Sequence, residues 1–365
     1  MPEIHARRRE ALRAVVAEQD VAAALITSLV NVRYLTGLAS TNAAVLLPAD
    51  GPAVLATDFR YALTAQRECP DLELLTVYSA DGALVELAPD RGYRRLAFEA
   101  HIMTVERFDT LKTSQSLEFV PLGHAVEELR VVKDVAEIAL LARACEITGA
   151  AFDAVVGKIQ PGLTERGLAV LVERAMTDLG AECLAFPTIV ASGPNGAIPH
   201  HEPGERRFVA GDMVTVDCGA RYGGYHADMT RTVVIGEPAG WQRDVYSLVA
   251  AAQQAGIEAA VAGAAIASVD AAARDLIAAA GHAEHFTHGL GHGVGLEIHE
   301  LPLMGKQRPG TLADRVPITV EPGVYLPGLG GVRIEDTLVV RSGDGASRDL
   351  LTTTKTVTPG ELTVL

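Results

Sequence analysis

Four carboxylates in the second half of this chain lie in or beside apolar, strand-like runs, and few arrangements tolerate that. Asp217 falls within Met213-Val-Thr-Val-Asp217-Cys-Gly, Asp228 within His226-Ala-Asp228-Met-Thr-Arg, Glu321 follows Ile318-Thr-Val, and Glu335 sits in Gly331-Val-Arg-Ile-Glu335-Asp-Thr-Leu-Val-Val340. An ionised carboxylate on a buried strand must be paired, hydrogen-bonded or metal-bound, because desolvation otherwise drives it to neutrality. Ion pairs or turn caps would explain any one of them alone. Together with His292, the four carboxylates read as the ligand set of a two-metal hydrolytic centre.

The bulk properties leave room for such a centre and exclude other roles. With 365 residues the chain predicts two or three domains, at about 150 residues each. A formal charge of −15, with only the short Arg7 to Arg9 cluster before Glu10, argues against nucleic acid as a partner. The four cysteines, Cys69, Cys145, Cys183 and Cys218, are far apart and form no CxxC pair, so neither a disulfide framework nor a thiolate zinc site is signalled. The N-terminal segment lacks an apolar core of signal-peptide length, and no window approaches the roughly 20 apolar residues of a membrane span. A cytoplasmic protein without a membrane partner is expected.

Residues 1 to 125 alternate helix-like and strand-like segments, which predicts an α/β domain. Strands are expected at Ala22 to Thr27, Ala43 to Leu47, Ala53 to Ala56, Leu72 to Val77 and Leu96 to Glu99, and helices at Arg60 to Glu68 and Thr104 to Thr113. A second domain, 126–365, opens with the capping-box spacing Asp134 to Glu137, and Thr164 caps a second helix. Beyond Phe186 come short strands and glycine-rich turns. Arg221-Tyr-Gly-Gly-Tyr225 predicts a hairpin that makes Asp217 and Asp228 neighbours. Helices at about Trp241 to Val261 and Ser268 to Gly281, followed by more strands, suggest an internal duplication of architecture.

Eight of the eleven histidines fall between positions 200 and 299. In His288-Gly-Leu-Gly-His292-Gly-Val-Gly-Leu-Glu-Ile-His299 the alternating glycines let backbone approach closely while imidazoles project into a cleft. No strand and acidic ribose partner surround this run in the order a dinucleotide fingerprint requires. His201 and His226 read as structural.

Taken in order, the Asp217 and Asp228 segments, Gly-Leu-Gly-His292-Gly-Val-Gly, Val320-Glu321-Pro-Gly-Val-Tyr325 and Gly331-Val-Arg333-Ile-Glu335-Asp-Thr resemble the pita-bread metallopeptidases. That family includes Xaa-Pro aminopeptidases, prolidases and methionine aminopeptidases. Asn31-Val-Arg-Tyr-Leu-Thr-Gly37 also looks like the N-terminal domain of the creatinase and prolidase type. The resemblance implies an α/β creatinase/prolidase-type domain followed by an α+β pita-bread catalytic domain with pseudo-duplicated helix pairs and a curved antiparallel sheet. It also implies homodimers.

Carried over by motif, Asp217 would chelate one metal, His292 and Glu321 the other, and Asp228 and Glu335 would bridge both. Two cations about 3.5–4 Å apart can activate a water and polarise a scissile carbonyl. Oxygen-rich ligation suits Mn²⁺ or Co²⁺, with Zn²⁺ as the alternative. His200 and His299 resemble the family histidines that stabilise the tetrahedral intermediate. Glu321 would also move the proton from water to the leaving nitrogen. Arg333, two residues before Glu335 and expected on the same strand face, would orient the metal carboxylates, as would Tyr325 through a hydrogen bond. Tyr325 and His288 are the candidate substrate-binding residues, His288 beside the proline ring.

Prolidases often carry a basic residue just after the His-Glu pair, whereas here His299-Glu300 is followed by Leu301-Pro-Leu303, with Lys306, Arg308 and Arg315 further on. The expectation is therefore an aminopeptidase acting on peptides with proline at position two, and a strict Xaa-Pro dipeptidase is the alternative. A metal-free binding protein or a creatinase-like amidinohydrolase would share the fold. Neither accounts for five intact ligands.

Overall fold

The structure is a computed structural model that describes residues 2–114, 117–343 and 348–365. It divides into two compact units, Met1–Arg130 and Val131–Leu365.

In the first unit, six strands form one mixed sheet in the order β4-β3-β2-β1-β5-β6. They are β1 (Ala23–Ile26), β2 (Ala43–Pro48), β3 (Val54–Thr57), β4 (Glu73–Thr76), β5 (Arg95–Phe98) and β6 (Glu118–Pro121). Between them run α1 (Pro2–Glu18), α2 (Leu29–Thr36), α3 (Ala62–Glu68), α4 (Ala80–Asp90) and α5 (Val105–Ser114), and α6 (Ala125–Val131) follows. One sheet face carries Ala23, Leu25, Ala44, Leu46, Val54 and Ala56, the two-residue alternation of a strand, and α4 covers it with Leu84, Val85 and Ala88.

Five elements here had no counterpart among the sequence expectations: β6, α1, α2, α4 and α6. The helix α2 contains Val30, Val32 and Thr36, whose branching at Cβ lowers helix propensity. Tertiary contacts and caps decide it. Ser28 accepts from the Asn31 N–H at the start, and Gly37 at φ 87° closes the end in the left-handed conformation.

The second unit repeats one design twice. The first pair of helices, α7 (Val135–Val155) and α8 (Glu165–Asp178), packs on strands β8 (Ile189–Ser192), β9 (Met213–Cys218) and β12 (Met229–Val234) through Phe152, Leu168, Val172, Val190, Val214 and Val233. The second pair, α9 (Gly240–Ala259) and α10 (Ile266–Ala279), packs on β15 (Pro317–Val320) and β18 (Asp336–Val340) through Val249, Val269, Ile277, Ile318, Val320 and Leu338. All paired strands of this unit run antiparallel. The remaining strands are β7 (Cys183–Leu184), β10 (Ala220–Tyr222), β11 (Tyr225–His226), β13 (Gly291–Gly293), β14 (Glu300–Met304), β16 (Gly323–Leu326), β17 (Gly330–Arg333) and β19 (Arg348–Leu350).

Local chemistry sets the starts and turns. Asp134 accepts from the Ala136 and Glu137 N–H groups while Glu137 accepts from the Asp134 N–H, a complete capping box at α7. At α8 the Thr164 hydroxyl accepts from the Gly167 N–H at 3.0 Å. The β10–β11 hairpin turns on Gly223 and Gly224, both at positive φ, as a two-residue turn of matching twist requires.

Candidate metal centre

The site is assembled at strand ends. Asp217 faces Thr230 across the β9–β12 pair, and Asp228 lies two residues before Thr230, so the two carboxylates emerge on one face. Glu321 follows β15, and Glu335 occupies the short connection between β17 and β18. The expected continuous strand through Arg333 and Glu335 is therefore interrupted: β17 ends at Arg333, and the Glu335 N–H is held by the Thr230 carbonyl at 3.2 Å. Both side chains still reach the centre.

His292 sits on β13, where a bulge breaks the pairing with β14 between His292 and Gly293. Its flanking glycines have a steric reason. A Cβ on Gly291 would lie 2.1 Å from the Thr319 carbonyl oxygen, and one on Gly293 would lie 2.1 Å from that of Leu301. Only glycine lets the His292 strand pass so close to its neighbours.

These residues open into a cleft of about 1380 Å³. Nine of the ten residues singled out in the sequence line it: His200, Asp217, Asp228, His288, His292, His299, Glu321, Arg333 and Glu335. Tyr325 is placed behind the lining instead. Asp228, His292 and Glu335 each offer a ligand atom within 4.8 Å of the others. Glu321 Oε1 adjoins this group, 3.4 Å from His292 Nε2. Asp217 is drawn in by Arg333, whose guanidinium donates to Asp217 Oδ2 at 2.7 Å.

Arg333 is engaged through all three of its guanidinium nitrogens. It also donates to Tyr325 Oη at 3.0 Å, to Thr230 Oγ1 at 3.1 Å and to the Pro199 carbonyl at 3.2 Å. Two threonines absent from the sequence expectations complete the frame. Thr230 donates to Glu335 Oε2 at 2.7 Å, and Thr319 donates to Glu321 Oε1 at 3.3 Å while accepting from the His292 N–H at 3.1 Å. Each lies two residues from a ligand candidate on a strand, a spacing that could have flagged them.

Burial dominates the electrostatics of the cluster. Burial, then repulsion from Asp217 and Glu321, pushes the Asp228 carboxyl well above its ordinary range. Burial followed by the Asp228 and Glu321 charges does the same to Glu335, and burial raises Glu321. Asp217 Oδ1 and Glu335 Oε1 are buried with no hydrogen-bond partner among the described residues. Unmet acceptors in a packed carboxylate cluster fit divalent cations.

The flanking histidines differ in kind. His288 is pushed down to about 4 by burial, and Nδ1–H donates to the Gly289 carbonyl at 2.8 Å. His288 Nε2 then accepts from Tyr325 Oη at 2.9 Å, which continues a chain from Arg333. His200 and His299 are exposed on the cleft wall, with the His299 ring edge-on to His292 at 4.4 Å between centroids. His201 bonds Glu165 at 2.8 Å and His226 bonds the Gly295 carbonyl at 3.0 Å, structural attachments in both cases.

Two charged groups that support the cleft were not foreseen. Buried Glu165 accepts from the Ser192 N–H and hydroxyl, Asn195, His201 and the Gly204 N–H. Arg274, paired with Asp270 along α10, donates to the Phe286 and His288 carbonyls at 2.9 and 2.7 Å and so holds the segment bearing His288.

An α/β unit followed by a doubled helix-on-sheet unit, with clustered ligands at strand ends, defines a metal-dependent hydrolase of the pita-bread class with a creatinase-type N-terminal domain. The sequence matches the Creatinase/Prolidase N-terminal domain over residues 8–132 and Metallopeptidase family M24 over residues 139–342. It is 42% identical to the Xaa-Pro dipeptidase of Pyrococcus furiosus over 244 residues, 67% of this chain and 69% of that one. An Xaa-Pro dipeptidase from Bacillus anthracis superposes with a TM-score of 0.94 at 34% identity, covering 99% of this chain and 100% of that one. The X-Pro aminopeptidase from Thermotoga maritima gives a TM-score of 0.87 at 34% identity, covering 98% and 99%. The chain belongs to metallopeptidase family M24, whose members use divalent metals.

Proposed function

We propose that this chain is an Xaa-Pro dipeptidase whose centre holds two divalent cations on Asp217, Asp228, His292, Glu321 and Glu335. The observation that carries the metal assignment is the pair of buried, unpartnered carboxylate oxygens on Asp217 and Glu335 beside the Asp228, His292 and Glu335 group. Cations bound there would supply an activated water and an electrophile for the scissile carbonyl. Oxygen-rich ligation favours Mn²⁺, with Co²⁺ or Zn²⁺ as alternatives.

The chain's own residues divide the remaining work. Glu321 accepts a proton from the attacking water and returns it to the leaving proline nitrogen. His200 and His299, both on the cleft wall, donate towards the oxygen that gains charge, each lowering the barrier by about 3 kcal/mol. Arg333 keeps Asp217 oriented and ties it to Tyr325. His288, neutral and fixed by Tyr325, forms the wall for the proline ring, whose tertiary amide lacks the N–H that ordinary peptides offer.

Substrate length is decided by charge. The aminopeptidase expectation rested on the absence of a basic residue next to His299-Glu300. Lys306 and Arg308 nevertheless line the cleft and can meet a dipeptide's terminal carboxylate, while Arg315 is not among the lining residues. The dipeptidase names carried by the Pyrococcus and Bacillus relatives point the same way. Metal-stripped protein reconstituted with Mn²⁺ should hydrolyse an Xaa-Pro dipeptide much faster than the same sequence extended by one residue. Faster turnover of the tripeptide would refute the dipeptidase reading, and full activity after thorough metal removal would refute the metal centre.

A further inference from the structure

The N-terminal unit contains a second group of metal-ligating side chains, none of which belongs to the cleft. His101 lies in the turn after β5, His124 lies between β6 and α6, and Glu127 is in the first turn of α6. We propose that His101, His124 and Glu127 bind a borderline divalent transition-metal ion, zinc foremost, with a fourth position open to water.

The geometry is nearly formed. Each of the three offers a ligand atom within 4.8 Å of the others. His101 Nε2 and Glu127 Oε1 are 3.2 Å apart, close to the roughly 3.3 Å between two ligands on tetrahedral zinc with bonds of about 2.0–2.1 Å. The two imidazole rings are 4.2 Å apart between centroids, and both histidines are exposed, so small rotations can close the set.

A second observation separates this group from an ordinary surface ion pair. Glu127 Oε2 is buried and has no hydrogen-bond partner among the described residues, so the carboxylate has acceptor capacity that water does not reach. The carboxylate is also held by a buried neighbour, through the oxygen that meets His101. Asn31 donates to Glu127 Oε1 at 2.7 Å and to Glu99 Oε1 at 2.6 Å, and its own Oδ1 accepts from Arg130 at 2.8 Å. Metal-binding carboxylates are commonly oriented by such outer hydrogen bonds. Burial opposes ionisation of Glu127, but the bonds from Asn31 and His101 outweigh it and keep the carboxyl below its ordinary range, in the form that ligates.

Two imidazoles and one carboxylate suit Zn²⁺, Co²⁺ or Ni²⁺, whereas Mg²⁺ and Ca²⁺ prefer all-oxygen sites. A bound ion would tie the turn after β5 to the start of α6. The buried Asn31 at the head of the Asn31-to-Gly37 motif thereby gains a role as the support of this site.

The test counts zinc on the full chain. Wild type and His101→Ala/His124→Ala are loaded with Mn²⁺, equilibrated against the same small excess of free Zn²⁺, and their metals measured per chain by mass spectrometry. The double variant is expected to hold one zinc fewer while keeping the wild-type circular dichroism spectrum. Equal zinc in the two folded proteins overturns the proposal. Should the double variant not fold, Glu127→Gln, which preserves side-chain shape, is expected to weaken zinc binding at least about tenfold. Unchanged affinity there is equally fatal. Because zinc count is read without any peptide, this outcome is independent of the dipeptidase assignment.

Discussion

At the scale of single residues, Arg333 shows why charge alone does not describe the centre. Its guanidinium reaches Asp217, Tyr325, Thr230 and Pro199 at once, a fork that lysine's single ammonium cannot reproduce. Arg333→Lys should keep the fold and the local charge but lower metal affinity or kcat by roughly 10–100-fold. Steady-state kinetics with parallel metal analysis checks this, and wild-type values for both would show that charge suffices. His288 gives a pH prediction. Its folded value of about 4 lies below the ordinary 6.5, so the unfolded chain binds the extra proton between those values. Its contribution to stability is present above about 6.5 and fades as pH falls towards 4. The stability difference between wild type and His288→Gln, from urea unfolding, should therefore shrink across that window. A constant difference would contradict a buried neutral imidazole.

At the scale of elements, the loop carrying His200 depends on α8. Glu165 stands at the first position of that helix and collects five donors, among them His201, which is adjacent to His200. Burial works against its charge, but these donors prevail and hold the carboxyl below its ordinary range. Glu165→Gln turns an amide N–H towards groups that themselves donate, so it should release the 201–204 segment. The expected result is a fall of about tenfold in kcat with KM changed less, since a donor to the developing charge is misplaced. Loss of thermal stability with unaltered kcat would reduce Glu165 to a structural residue. This dependence also marks where sequence reading stopped. Ligand candidates were legible because carboxylates in apolar strand runs are chemically conspicuous, and the Gly223-Gly224 hairpin because positive φ selects glycine. Glu165 and Arg274 were not, because each acts across more than 10 residues of chain, on partners that only folding supplies, and Thr230 and Thr319 were marked only by their two-residue spacing from a ligand candidate. The same holds for α2, where a propensity unfavourable to helix is overridden by the buried bonds of Asn31.

For the molecule as a whole, the doubled architecture of the second unit explains how so many carboxylates can be gathered. Asp217 and Asp228 come from the first half, and His292, Glu321 and Glu335 from the second, so two separate hydrophobic cores bear the strain of one shared acidic cluster. Without cations that cluster opposes folding in a pH-dependent way. Asp228 and Glu335 have folded values raised far above the ordinary carboxylate range, by burial first and by acidic neighbours second, Asp217 and Glu321 acting on Asp228, and Asp228 and Glu321 acting on Glu335. The folded metal-free chain thus binds more protons than the unfolded chain, and its stability falls as pH rises from the ordinary carboxylate range through the raised values. Bound cations remove this liability and stabilise the folded state by mass action, by about 2.7 kcal/mol at a hundredfold excess over Kd. For a unit of this size that corresponds to roughly 5–10 °C in Tm. The gap in Tm between Mn²⁺-loaded and chelator-stripped protein should therefore widen steadily as pH is raised from weakly acidic to weakly alkaline, in thermal scans at fixed metal excess. A gap that narrows over that range would mean the carboxylates are relieved by groups other than metal, and the two halves of the unit would need another reason to converge.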